Sequence, residues 1–171
     1  MIQEKIKAAY QSLCKKIIAG EAVNPIKVRV SSRSEDGFRS AVKIRNFDLI
    51  SDQPYGFAGS NQGPKPSELV LAALATCQEV TWRLYAAAMD IPLDGIRVEL
   101  EGEQDLRGFF SLDETVNAGF QSMKGTVYID SPADDETLES LRKIVDAHCP
   151  VLDDLRRPVS VELGLEREAS A

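Results

Sequence analysis

The sequence predicts an α+β fold, with helices segregated from mostly antiparallel sheet. Runs that alternate apolar and polar residues come in neighbouring groups separated by hairpin-type turns, which pairs them antiparallel. Helical patterns flank these groups instead of following every strand. The order is helix, two or more strands, long helix, two strands, helix, strand. The stretch from Gly59 to Met89, a Gly/Ser/Asn/Pro loop running into a long helix that starts at Pro66, divides the chain. The 171 residues fit a single domain, 1–171, with residues 1–21 as a helical arm and 26–165 as the core.

Residues 2–18 place Ile2, Ile6, Ala9, Tyr10, Leu13 and Ile17 on one stripe of a helix, with Cys14 at its edge as a small packing residue. Gly20 to Pro25 ends that helix, which is expected to pack on the body or on a partner subunit. Ile26 to Ser32 alternates as a half-buried strand, Glu35-Asp36-Gly37 signals a hairpin, and Phe38 to Asn46 alternates again. Leu49-Ile50 continues this strand region. Residues 51–66 are too rich in Pro and Gly to be regular, and a loop of that length usually serves a site or an interface.

Pro66 suits the first helical position, and Glu68 in the first turn complements the helix dipole. Leu69 to Ala75 is apolar throughout, so the helix is expected to be dry on every face, and the apolar run is too short to cross a bilayer. Beyond Cys77, residues Val80, Thr81, Leu84, Tyr85 and Ala88 share one side, and Glu79 and Arg83 form an i,i+4 pair on another.

A turn at Ile91–Gly95 precedes a strand over Ile96–Glu103, and an irregular stretch over 105–119 carries Phe109 and Phe110, which would line an apolar pocket or cover the core. Phe120–Asp130 is the next strand. Ser131 to Asp134 caps a helix over Asp135–His148 with Leu138, Leu141, Ile144 and Val145 as its core stripe. Cys149-Pro150-Val151 interrupts it before a further turn at Leu152–Arg156. Pro158–Leu165 alternates as a closing strand, and the tail 166–171 is polar and frayed.

Composition narrows function. A net charge of −7 argues against general nucleic-acid binding, which needs a basic face. No apolar run is long enough to span a membrane, and the N-terminus lacks the continuous apolar stretch of a secretory signal. Three cysteines without an export signal point to a reducing cytoplasm, where a cysteine pair is catalytic or redox-sensing. The single histidine, His148, rules out a multi-His metal site within one chain. Cys77, inside the apolar helix, and Cys149, at a helix break before proline, are 72 residues apart and give no metal signature. A thiol pair brought together by folding suits peroxide reduction: one thiolate becomes a sulfenic acid and the second condenses with it. The bland alternative is that both are inert filling.

The run PSELVLAALATC (66–77), with QPYGF (53–57) upstream and AHCPV (147–151) downstream, resembles the OsmC/Ohr family of osmotically induced and organic hydroperoxide resistance proteins. IPLDGIRVELEGEQDLRGFF (91–110) is similar to one OsmC-like branch, and the resemblance covers roughly residues 26–163. It implies an OsmC-like fold: an intertwined homodimer whose antiparallel sheets wrap long central helices. It also implies a cysteine-based, peroxiredoxin-like peroxidase with an antioxidant, stress-response role, acting on organic hydroperoxides at the subunit interface. Cys77 corresponds to the peroxidatic and Cys149 to the resolving cysteine, with recycling by a dithiol or lipoyl-type reductant and no metal or nucleotide cofactor. Arg39 is the preferred match to the family's thiolate-stabilising arginine, Arg33 the alternative. The family's glutamate position holds Ser67 here, and Glu68, one place later, is the substitute partner for the arginine. Two rivals stand beside this reading: a non-catalytic dimer binding a small apolar ligand, and a cysteine hydrolase or transferase using His148. From the residues alone, Arg39 reads as a surface charge, Glu68 as a helix-start acid and His148 as a helix-end cap.

Overall fold

In the computed structural model, which describes residues 2–167, α1 (Ile2–Ile18) precedes a three-stranded antiparallel sheet of β1 (Ser31–Asp36), β2 (Arg39–Ile44) and β3 (Phe47–Ser51) in the order β1-β2-β3. A loop with one 3-10 turn at Tyr55–Phe57 leads into α2 (Pro66–Ala88). Then come β4 (Gly95–Gln104), the single-turn α3 (Leu106–Phe109) and β5 (Phe120–Asp130), with β4 and β5 forming a second, two-stranded antiparallel sheet. The chain closes with α4 (Asp135–His148) and α5 (Pro150–Arg156). The α+β reading holds. Residues 168–171 of the tail expected to fray lie outside the described residues.

Local chemistry explains most boundaries. The β1–β2 turn falls at Gly37, whose φ of +53° is natural for glycine. A register shift between Ser34 and Asp36 makes Glu35 the extra residue of a bulge, and its carboxylate turns toward Arg39. The Asp134 carboxylate accepts the Thr137 N–H at 2.7 Å and starts α4. The core lies where α2, α4 and the β4–β5 sheet meet, around Trp82, Ala86, Ile91, Leu93, Leu141 and Val145.

Four expectations are corrected. Residues 26–30 form no strand: β1 begins at Ser31, and Ile26, Val28 and Val30 are exposed. Residues 158–165 likewise form no closing strand, and Val159, Val161, Leu163 and Leu165 are exposed. Both segments alternate as strands do, but neither pairs with a strand among the described residues. The central helix is not dry on every face, because Val70, Ala72 and Ala73 are exposed, as is Val80 one turn past Cys77's level. The side of α1 turned to the body is Gln3, Ile6, Lys7, Tyr10 and Cys14, whereas Ile2, Leu13 and Ile17 stay exposed. Polar contacts select that side. The Gln3 side chain donates to the Ile91 carbonyl at 2.6 Å, and Lys7 pairs with Asp90.

The loop between β3 and α2 is held by Asp52, only 1% exposed. Its carboxylate accepts from the Ser60 hydroxyl at 2.6 Å and from the N–H groups of Gln53, Ser60 and Gln62 at 2.7–3.1 Å. Gly59 is required there, since a Cβ would fall 1.9 Å from the Gln53 carbonyl oxygen. The Ser60 hydroxyl, helped by those N–H groups and opposed by burial, holds the Asp52 carboxyl below its usual value. Its stabilisation is therefore present above the unfolded value near ~3.9 and lost as pH falls through the lower folded value. Asp52→Asn is expected to lower the melting temperature by roughly 5 °C or more at neutral pH. It should also flatten the loss of melting temperature between about pH 5 and 2. Thermal melts of both proteins across that range check the pair of effects.

Candidate thiol site

Cys77 sits near the middle of α2, and Cys149 is the extended residue (φ −76°, ψ 112°) between α4 and α5. Pro150 ends α4 by the usual clash and starts α5 without needing an N–H, so the break turns the thiol inward. Packing of α4 on α2 through Leu141, Val145, Trp82 and Ala86 brings the two sulfurs to 3.4 Å, with the Cys149 thiol donating. No sequence spacing could give that contact. The sulfurs differ in environment: Cys149 is fully buried and Cys77 is half-buried, so solvent reaches the site from the Cys77 side. Burial pushes the Cys149 thiol up, and the Cys77 sulfur adds to the shift; the Leu152 N–H and the Thr81 hydroxyl oppose it.

In the sequence Thr81 reads only as part of an amphipathic side. One turn beyond Cys77, its hydroxyl donates to the Cys77 carbonyl at 2.7 Å and lies beside Cys149. The i,i+4 spacing from a candidate cysteine was the available signal.

The charged residues expected near the thiols have local partners. Arg39 Nε lies 3.2 Å from the Glu35 carboxylate, inside ion-pair distance, but makes no hydrogen bond there. Glu68 accepts the Lys65 N–H at 3.0 Å and caps the start of α2. Arg33 is exposed on β1, opposite Ala41. Ser67 lines a hollow of about 200 Å³ with Phe57, Leu106 and Phe109, and Phe110 stacks on Phe57 at 6.1 Å. His148 is exposed and stacks on Tyr85 at 5.4 Å. Cys14 is half-buried on α1 beside Tyr10, whose ring meets Tyr85 at 6.4 Å.

Comparison with known proteins bears on the family and the fold. A family model described as OsmC-like protein matches residues 59–164. No curated protein sequence matches the chain. Among solved structures, an OsmC-like protein from Mycoplasma pneumoniae superposes with a TM-score of 0.68 at 18% identity, over 77% of this chain and 89% of that one. An organic hydroperoxide resistance protein OsmC from Legionella pneumophila gives 0.61 at 18% identity, over 78% and 92%. The organic hydroperoxide resistance protein OhrB of Bacillus subtilis gives 0.53 at 21%, over 82% and 98%. At these identities the structural likeness speaks for the fold.

Proposed function

The chain belongs to the OsmC family, and from that premise we propose that it is a thiol-dependent peroxidase reducing organic hydroperoxides, with Cys77 the attacking and Cys149 the resolving thiol. The 3.4 Å approach of the two sulfurs carries this reading. The Cys77 thiolate attacks the terminal peroxide oxygen, the O–O bond breaks, and the alkoxide leaves to take a proton as the alcohol. The resulting Cys77 sulfenic acid condenses with the Cys149 thiol, releasing water and leaving a disulfide. A dithiol or lipoyl-type reductant then returns both thiols and is itself oxidised. The names of the Legionella pneumophila and Bacillus subtilis relatives support an organic hydroperoxide as substrate.

The working form is a homodimer. Its support is an exposed apolar stripe on α2 (Val70, Ala73, Val80) and two strand-like segments, 26–30 and 158–165, that pair with no strand among the described residues. The β1–β3 sheet makes little contact with the helices, which leaves it free to lie across a second copy. In that assembly Arg39 is the cation serving the Cys77 thiolate, and Glu68 is its partner. Ser67 at the family's glutamate position favours a second reading, a non-catalytic dimer holding an apolar ligand.

One equivalent of cumene hydroperoxide added to the reduced protein, followed by thiol mapping in a mass spectrometer, separates the two. A Cys77–Cys149 disulfide with Cys14 untouched is the expected result. Unchanged thiols would select the binding dimer.

A further inference from the structure

Thr81 is buried inside the thiol site, only 4% exposed, and the two-thiol chemistry alone gives it no task. It follows Cys77 by one turn of α2, on the same row of side chains. Its hydroxyl donates to the Cys77 carbonyl at 2.7 Å and also lies within hydrogen-bonding reach of the Cys149 sulfur. Cys149 is fully buried and directs its S–H at the Cys77 sulfur, 3.4 Å away. One hydroxyl proton thus faces two acceptors, one on each of the reacting cysteines.

Charge decides between those acceptors. A hydroxyl can turn its proton either way, and a hydrogen bond to an ion is roughly twice as strong as a neutral one. The Cys77 carbonyl lies within the ladder of α2, where the Thr81 N–H also reaches it, so it is not left bare when the hydroxyl turns away. While Cys149 keeps its proton, the hydroxyl stays on the carbonyl. Once Cys149 gives that proton up, its sulfur becomes the stronger acceptor, in a place closed to solvent.

We propose that Thr81 is a positioning residue for the second chemical step, turning its hydroxyl from the Cys77 carbonyl to the Cys149 sulfur as the disulfide forms. This role rests on the thiol-pair reading above. In that step the Cys149 S–H bond breaks and its electron pair bonds to the Cys77 sulfur. The bond from Cys77 to its sulfenic oxygen breaks, and the hydroxide leaves with the Cys149 proton as water. Burial pushes the Cys149 thiol up, and the Leu152 N–H and the Thr81 hydroxyl work against that, so loss of the hydroxyl makes the proton harder to remove. Among the described residues, Cys77 is the titratable group that faces the Cys149 sulfur. The others nearby are engaged: His148 stacks on Tyr85, and Asp146 and Asp153 accept from Arg142 and Arg157.

The test times the second step by itself. The reduced full-length protein receives one equivalent of cumene hydroperoxide at several values between about pH 6 and 10. Samples are trapped at intervals with a dimedone-type reagent, and mass spectrometry counts the Cys77 sulfenic acid and the Cys77–Cys149 disulfide. Thr81→Val keeps the shape of the side chain without its hydroxyl. Its sulfenic acid should last roughly tenfold longer at neutral pH, the effect of raising the Cys149 thiol by about one pH unit. The gap should close toward the alkaline end, where Cys149 ionises without help. Thr81→Ser keeps the hydroxyl and should close near the wild-type rate, whereas Thr81→Ala leaves a similar hole without the oxygen and should be as slow as Thr81→Val. Closure of Thr81→Val at the wild-type rate, equal rates for Thr81→Ser and Thr81→Ala, or a deficit of the same size at every pH would overturn the role and leave the thiol pair standing. A wild-type protein that forms no Cys77 sulfenic acid would instead remove the thiol-pair reading, and this role with it.

Discussion

Replacing Cys77 by serine is expected to lower hydroperoxide turnover by roughly a thousandfold or more, as loss of a nucleophile does when other groups only assist it. The difference between the two sulfurs makes the expectation specific. Cys149 is fully buried and its thiol is pushed up, so it is both shielded from peroxide and held protonated at neutral pH. It cannot stand in for Cys77. The reciprocal change, Cys149→Ser, should spare the first oxidation and stop the second step. A Cys77 sulfenic acid would then accumulate, trappable by a dimedone-type reagent and visible as an added mass. Steady turnover by the Cys77→Ser protein would remove Cys77 from the mechanism. A Cys149→Ser protein that cycles normally would remove the resolving role.

The largest expected loss of stability comes from Leu141→Ala. Leu141 is fully buried in α4, packed with Val145 against Trp82 and Ala86 of α2. Removing its side chain leaves a cavity between two stiff helices, and such changes cost about 3 kcal/mol. For a chain of this length that is roughly a 10 °C drop in melting temperature. The same packing sets the distance between the thiols, so a looser α2–α4 contact should also slow disulfide formation. Urea unfolding gives the first effect and stopped-time thiol mapping the second. A stability change under about 1 kcal/mol would mean that the contact is not the structural centre it is taken to be.

Much of the architecture could be read from residues alone because local chemistry fixes it. Helix α4 carries its own start signal in Asp134 and its own packing stripe, and it lies where the sequence puts it. The β4–β5 pair is also close to its expected limits, since both strands alternate and each finds the other. Segments 26–30 and 158–165 depart from the strand expectation for the opposite reason. Alternation tells that a strand has an apolar face, but not whether its own chain offers an edge. The Cys77–Cys149 contact depends on how α4 leans on α2, which no local pattern encodes. The sequence reading of Glu68 as a helix-start acid matches its Lys65 contact. Asp52 carries no sequence signal, because its partners Ser60 and Gln62 become neighbours only after the loop folds back.

The short sulfur–sulfur approach also bears on how the molecule ages between turnovers. A bond between Cys77 and Cys149 needs the sulfurs to close from 3.4 Å to about 2.05 Å, and it would seal a ring spanning 72 residues. Tying off a ring of that size removes unfolded-chain freedom worth about 4 kcal/mol in the loop-entropy account. The oxidised protein would thus be the heat-hardened one and the reduced protein the one exposed to proteolysis. Under sustained peroxide stress the population would shift toward its more durable form, so that lifetime in the cell would follow the supply of reductant.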